Sequence, residues 1–143
     1  MRTLALLATL TALVAAGTAT ASPATLVTIT SDVSFVDPTS PFIATGGVIC
    51  SAGTVSNVFT RFTGFQSNTH AQILVLHRFV CPDGTFDILL RVGLSFTDFA
   101  TEGTWSVHDG TGAYSKLHGT GRITGVNQGD SVLDTYTGKM HID

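Results

Sequence analysis

The segment 85–97, TFDILLRVGLSFT, places an apolar residue at every second position. These residues are Phe86, Ile88, Leu90, Val92, Leu94 and Phe96. Most of the positions between them hold polar residues or glycine. Because side chains alternate across a strand, the pattern predicts a long strand with one buried and one solvated face. Such a strand fits the wall of a barrel or one layer of a sandwich.

Other short segments rich in β-branched and aromatic residues predict further strands. They are 24–34, 46–50, 55–63, 70–81, 103–108, 119–126 and 131–142. Clusters of turn-forming residues at 37–41 and 127–130 separate some of them. Charged residues make up only 12% of the chain, and it has a single glutamate, so helix formers are scarce. The sequence predicts an all-β fold, an eight-stranded antiparallel β-barrel, with a two-sheet sandwich as the alternative.

The first 21 residues have the layout of a secretory signal peptide. Arg2 precedes an apolar run over 4–16, and small residues with an A-x-A site at 19–21 follow it. The run is shorter than the about 20 apolar residues that span a bilayer. We therefore expect cleavage after Ala21, a single β-barrel domain over 22–143 with no membrane span, and a secreted, extracellular protein.

Charge and cysteine content narrow the function classes. The exported part has six Lys and Arg residues against ten Asp and Glu, a formal charge of −4. Nucleic-acid binding requires clustered positive charge, so it is not expected. Cys50 and Cys81 predict one disulfide in an oxidising compartment, with free buried thiols as the alternative. Neither their spacing nor that of the five scattered histidines predicts a metal site.

The loop between segments 70–81 and 85–97 decides which side chains face inward. The favoured reading is a three-residue loop, 82–84, which sets Cys81 opposite Thr85 and turns Arg78 to the side of Ile88. A two-residue loop would instead turn His77 and Phe79 to that side. A slip of one residue flips every side chain, so these two readings differ completely.

The glycine-rich stretch 109–121, DGTGAYSKLHGTG, could in principle hold a phosphate. A phosphate loop leads into a helix, whereas the residues that follow here predict a strand. We therefore expect a structural corner in which Gly110 and Gly112 permit a tight turn and Tyr114 and Leu117 plug one end of the barrel.

The run Trp105-Ser106-Val107, followed by GTGAY at 110–114, Leu117 and GTG at 119–121, resembles the allene oxide cyclase barrel-like superfamily. Plant dirigent proteins and small exported bacterial proteins belong to this group. The resemblance implies an eight-stranded antiparallel barrel with an internal cavity, often assembled as a trimer. It also implies that enzyme members steer the cyclisation of apolar intermediates without metal or cofactor. No polar motif of this chain matches their catalytic residues.

Three residues are candidates for ligand binding: Arg78, Trp105 and Tyr136. An inward Arg78 could bind a carboxylate or carbonyl group, whereas an outward one would belong to a solvated wall. The expected function is binding of a small hydrophobic molecule, without a cofactor. A cyclase or isomerase of an apolar intermediate, and a structural protein with a filled barrel, are the alternatives. We expect a homo-oligomer, with a trimer as the preferred state, because segment 73–80 is apolar on both faces.

Overall fold

The computed structural model describes residues 22–143, so the predicted signal peptide and its cleavage site lie outside the described residues. This part of the chain forms eight strands and one short 3-10 helix. The strands are β1 (Thr25–Ser34), β2 (Ser40–Thr45), β3 (Ala52–Ser67), β4 (His70–Cys81), β5 (Gly84–Ser95), β6 (Thr101–Gly110), β7 (Leu117–Asn127) and β8 (Ser131–Ile142). The 3-10 helix spans Gly112–Tyr114, between β6 and β7. Within the described range, no helix is long and apolar enough to cross a membrane.

The strands form one antiparallel sheet that closes on itself. Each strand pairs with the next one in sequence, and β8 pairs with β1 along ten positions, from Thr25 opposite Met140 to Ser34 opposite Ser131. The all-β prediction of eight antiparallel strands is confirmed, and they form one ring-like sheet rather than two layers. Alternate side chains point into the ring, as Val27 and Ile29 of β1 and Tyr136 of β8 do, and are buried.

Two of the predicted strands, 70–81 and 131–142, agree with β4 and β8. The strand predicted at 46–50 is wrong, and β2 begins instead inside the predicted turn cluster 37–41. Pro41 is tolerated there because β1 pairs with β2 only from Phe42 onward, so the missing N–H breaks no bond with β1. The carbonyl of Pro41 accepts a hydrogen bond from the Ser31 hydroxyl at 2.8 Å.

The favoured register of the β4–β5 hairpin is wrong. Cys81 pairs with Gly84, which leaves a two-residue loop and sets Arg78 opposite Asp87. This register lets Phe79 and Phe86 stack inside the ring with their centroids 4.9 Å apart. It turns Arg78 to the outer face. The two-residue loop, which was the alternative prediction, is therefore the one observed, and it buries the large aromatic side chains inside the ring.

One end of the ring, here called the closed end, is filled by side chains. Its large buried residues are Phe42, Phe79, Phe86, Trp105, Tyr114 and Met140. The predicted disulfide between Cys50 and Cys81 lies at this end, with a Cα–Cα distance of 6.0 Å. The Tyr114 hydroxyl donates to the Asp83 carboxylate at 2.7 Å and accepts from the Cys50 amide at 3.1 Å. These bonds connect the hairpin loop, the disulfide and the glycine corner.

The glycine-rich stretch is a structural corner, as predicted. Gly112 has a φ of +58°, a conformation that favours glycine, and it starts the 3-10 helix that carries Tyr114 inward. Tyr114 and Leu117 are both buried. The chain then continues as β7 rather than as a helix, so the backbone geometry of a phosphate loop is not formed.

Candidate functional site

The half of the ring opposite the closed end contains a cavity of about 890 Å³ that is open to solvent on one side. The inward-facing side chains of six strands give it aliphatic inner walls, whereas its rim also carries serine, threonine and asparagine residues. The aliphatic side chains include Val33, Val55, Ile73, Val75, Leu90, Val92, Ile123 and Val132. Large aromatic residues fill the closed end, whereas these smaller side chains leave the middle of the ring unfilled. The sequence of the strands thus builds a packed half and a hollow half.

The mouth of the cavity lies at the connections β1–β2, β5–β6 and β7–β8. Two phenylalanines of these connections line it while remaining largely exposed: Phe35 is 66% and Phe99 is 55% accessible. Beside the mouth, Phe62, Phe65 and Phe96 form a small aromatic cluster, with Phe62 and Phe65 4.8 Å apart. The rim of the cavity therefore combines exposed aromatic side chains with polar residues, among them Asp37, Asn57 and Asn127.

The cavity floor is defined by three side chains, His77 of β4 and Asp134 and Tyr136 of β8. His77 and Asp134 line the cavity, and Tyr136 lies beneath them and is fully buried. The Tyr136 hydroxyl is 2.6 Å from His77 Nδ1 and 3.5 Å from Asp134 Oδ2, and its single hydrogen can be donated to either of them. His77 Nδ1 and Asp134 Oδ2 are 3.9 Å apart. These three groups form a small polar network in an apolar surrounding.

One polar atom of His77 and one of Asp134 remain available to a ligand. Neither His77 Nε2 nor Asp134 Oδ1 makes a hydrogen bond within residues 22–143. Every fully buried side-chain nitrogen or oxygen of that range has a hydrogen-bond partner. Because these two atoms have none, they are not fully buried, and they are reachable from the cavity that their residues line. The floor thus offers two polar positions at the end of an apolar chamber.

Burial shifts the protonation of the floor toward neutral forms. Desolvation lowers the pKa of His77 to about 4 and raises the pKa of Asp134 to about 7. Burial likewise raises the pKa of Tyr136 well above its usual range. At neutral pH the histidine is uncharged, and the carboxyl group takes up a proton far more readily than an exposed aspartate does. Such a pair can both donate and accept a hydrogen bond or a proton.

The cavity has no positive counter-charge. Among the described residues that line it, the titratable ones are Asp37 at the mouth and His77 and Asp134 on the floor, and none is lysine or arginine. No group of three potential metal ligands occurs within residues 22–143. The cavity is therefore an apolar chamber with a weakly acidic floor.

The three predicted ligand-binding residues lie outside the cavity lining. Arg78 is on the outer face and forms a bidentate pair with Asp87, at 2.8 and 2.7 Å. Trp105 is buried toward the closed end, where its ring packs over Gly121 and Gly138 and its indole N–H donates to the Arg122 carbonyl at 2.9 Å. Only Tyr136 takes part in the floor, through its hydroxyl.

Sequence reasoning missed His77 and Asp134. The signal for Asp134 was available, because it lies two positions before Tyr136 in a predicted strand and therefore faces the same side. The signal for His77 depended on the hairpin register, since only the two-residue loop turns it inward. An inward residue can face either a cavity or a packed core. The outcome depends on the side-chain volumes of several strands together, which the pattern of one strand does not give.

Comparison of the chain with protein-family models, curated proteins and solved structures finds no match. Any functional conclusion therefore depends on the residues of this chain and on the cavity that they form.

Proposed function

We propose that this chain is a secreted β-barrel protein that binds a small hydrophobic molecule in its internal cavity. The observation that carries the proposal is the cavity of about 890 Å³ with aliphatic walls. Ligand sites typically enclose about 300–1,000 Å³, with mostly apolar linings and a few polar groups that fix orientation. The network of His77, Asp134 and Tyr136 provides such groups at one end.

The same cavity distinguishes between the alternative functions, a structural protein and an enzyme. A barrel filled by Phe and Leu would leave little space, so the hollow half favours a binding protein over a purely structural one. A cofactor-independent cyclase or isomerase is the second candidate, because an uncharged histidine and a carboxyl group with a pKa of about 7 are suited to proton transfer. The resemblance to the allene oxide cyclase barrel-like superfamily agrees with both, because it implies a barrel with an internal cavity.

Binding is tested on the exported protein. An organic extract of the purified protein is analysed by mass spectrometry for co-purifying apolar molecules, and the extracted protein is titrated with the neutral fluorescent probe N-phenylnaphthylamine. We expect saturable binding with enhanced fluorescence. Turnover of the co-purified molecule by added protein would favour the isomerase, and recovery of it unchanged would favour the binding protein.

A matched pair of variants locates the site. Val92→Phe adds volume inside the cavity, whereas Val126→Phe makes the same change at a position that is 53% exposed. We expect the inner variant to weaken probe binding about tenfold or more, because it occupies ligand space, and the outer one to bind normally. Equal binding by both variants, with both folded, would contradict the proposed site.

Export and self-association belong to the same proposal. The leader-like residues 1–21 and the disulfide support secretion, since disulfides persist in oxidising compartments. Exposed apolar side chains on the outer face of β3 and β4, among them Phe59 at 40% and Val80 at 42%, support a homo-oligomer. A trimer is the state implied by the family resemblance.

A further inference from the structure

The floor of the cavity presents one group of each hydrogen-bonding kind. When Asp134 is ionised, its Oδ1 accepts only. Nε2 of the neutral His77 can carry the proton, because the Tyr136 hydroxyl can donate to Nδ1 over 2.6 Å. The floor then holds a donor at Nε2 and an acceptor at Oδ1, both reachable from the cavity. A ligand that buries these atoms without pairing them would lose the hydrogen bonds that they make to water.

From this arrangement we infer that the ligand is a neutral apolar alcohol, bound with its hydroxyl group on the floor and its hydrocarbon part toward the mouth. The inference rests on the proposed binding function and specifies its ligand class. A hydroxyl group donates one hydrogen bond and accepts others, so it satisfies both Asp134 and His77. The aliphatic walls, Val75 and Leu90 among them, then contact the hydrocarbon part.

A carboxylate ligand is disfavoured by charge. The described residues that line the cavity include no lysine or arginine, and the residues that can carry a negative charge, Asp37 and Asp134, would repel it. Arg78, the residue that follows His77 on β4, lies on the outer face and is paired with Asp87. Burying an unpaired anion in an apolar chamber costs far more than the walls return.

An alkylammonium ligand and a fully capped ligand are also disfavoured. An ionised Asp134 would attract an ammonium group, but that group has three N–H donors and the floor offers it only the Oδ1 of Asp134, because an Nε2 that carries a proton cannot accept. A methyl ether keeps the acceptor but loses the donor, so Asp134 Oδ1 would remain unpaired. Among these four end groups, the alcohol is the one that leaves no polar atom without a partner.

The test displaces bound N-phenylnaphthylamine from the mature protein with four compounds of equal chain length. They are dodecanol, dodecyl methyl ether, dodecanoate and dodecylamine, each used below its aggregation limit. We expect dodecanol to displace the probe at concentrations about tenfold lower than each of the others, which corresponds to one buried hydrogen bond. Dodecanoate or dodecylamine competing as well as dodecanol would overturn the inference.

Variants connect this preference to the floor. In Asp134→Leu and in His77→Phe the preference for dodecanol over the methyl ether should fall to within about twofold, while the probe still binds. Asp32→Leu is the control, because Asp32 is exposed on the neighbouring strand β1. The wild-type ranking tests the inference even where a floor variant does not fold.

The possible failures are distinguishable. If the probe binds and all four compounds displace it equally, the ligand class is wrong and the proposed binding function stands. If neither the probe nor any of the four compounds binds, both are wrong. If an unchanged preference persists in folded Asp134→Leu and His77→Phe, the hydroxyl does not lie on this floor and the inference fails.

Discussion

Gly112 holds its corner in a backbone conformation that a side chain disfavours. Its φ is +58°, and an added Cβ would press against the Asp83 carbonyl oxygen of the hairpin loop. We expect Gly112→Ala to lower the free energy of unfolding by about 1 kcal/mol or more. Lys116→Ala, an exposed change in the same corner, should leave it nearly unchanged. Thermal melts of both variants measure this difference. Equal melting temperatures would contradict the interpretation of this stretch as a structural corner.

The two titratable residues of the floor influence stability in opposite directions. The pKa of Asp134 rises from its unfolded value near 4 to about 7, so its contribution is present at low pH and is lost as pH rises to about 7. The pKa of His77 falls from 6.5 to about 4, so its contribution is present above about 6.5 and is lost as pH falls toward 4. Between pH 4 and 6.5 the two slopes oppose each other.

Single variants should separate these slopes. The stability difference between the wild type and Asp134→Asn should decrease as pH rises from about 4 to 7. The difference between the wild type and His77→Gln should increase from about pH 4 to 6.5. Urea unfolding at several pH values measures both. The residues paired directly with Asp134, Ser31 and Gly125, are not titratable, which leaves His77 and Tyr136 as its titratable partners in the network. Slopes of the reverse sign would contradict the assigned protonation.

At the scale of elements, the disulfide fastens the β2–β3 connection to the end of β4. The bridge joins residues that are 31 positions apart. In the chain-entropy model, closing a loop of that size contributes roughly 3–4 kcal/mol to stability. We expect Cys50→Ser combined with Cys81→Ser to lower the free energy of unfolding by that order. Non-reducing peptide mapping should show the linked pair in the wild type, and free thiols at both positions would contradict the bridge.

Arg78 was predicted to face inward and lies on the outer face, although its strand, β4, was predicted correctly. The alternating pattern of β5 fixed its own inward face, but β4 is apolar on both faces near its centre and could not fix its register. Packing of Phe79 on Phe86 settled it in the folded ring. Similarly, β2 escaped prediction because its Pro41 reads as a turn until the pairing partners of the strand are known.

The outer position of Arg78 has a consequence for binding. Arg78→Ala should leave ligand affinity unchanged, because the guanidinium does not reach the cavity. It should still lower stability by about 1–3 kcal/mol, since Asp87 is only 7% exposed and would lose its charged partner. Arg91→Ala, which removes an exposed arginine from β5, is the control. A loss of ligand affinity in Arg78→Ala but not in Arg91→Ala would show that Arg78 belongs to the binding site and would contradict this prediction.

At the scale of the whole molecule, stability and binding occupy opposite ends of one ring. The closed end holds the disulfide, the stacked aromatics and the glycine corner, and these need no ligand to pack. The open half has aliphatic inner walls, a polar floor and a partly polar rim around unfilled space. A ligand that binds the folded state alone stabilises it by mass action, so filling this space should raise the melting temperature. The fold class was predictable from alternation, whereas the hollow half depends on volumes from many strands.

Self-association depends on the outer surface of β3 and β4. The apolar patch there is smaller than the sequence suggested, because Leu76 is already 8% exposed in the single chain, paired with Phe59 and Leu89. Phe59 and Val80 remain substantially exposed. We expect light scattering on the mature protein to give about three times the monomer mass, in line with the trimer that the family resemblance implies.

The contact face is tested by placing the same charge on two walls of the ring. Val80→Lys puts a charge on the outer face of β4, where we expect the subunits to meet, and should shift the protein to monomers because a buried unpaired ammonium is strongly unfavourable. Val126→Lys makes the same change on the outer face of β7, at a residue of similar exposure, and should leave the oligomer intact. A monomeric wild type at micromolar concentration, or dissociation by Val126→Lys alone, would place the exposed apolar residues of β3 and β4 outside any subunit interface.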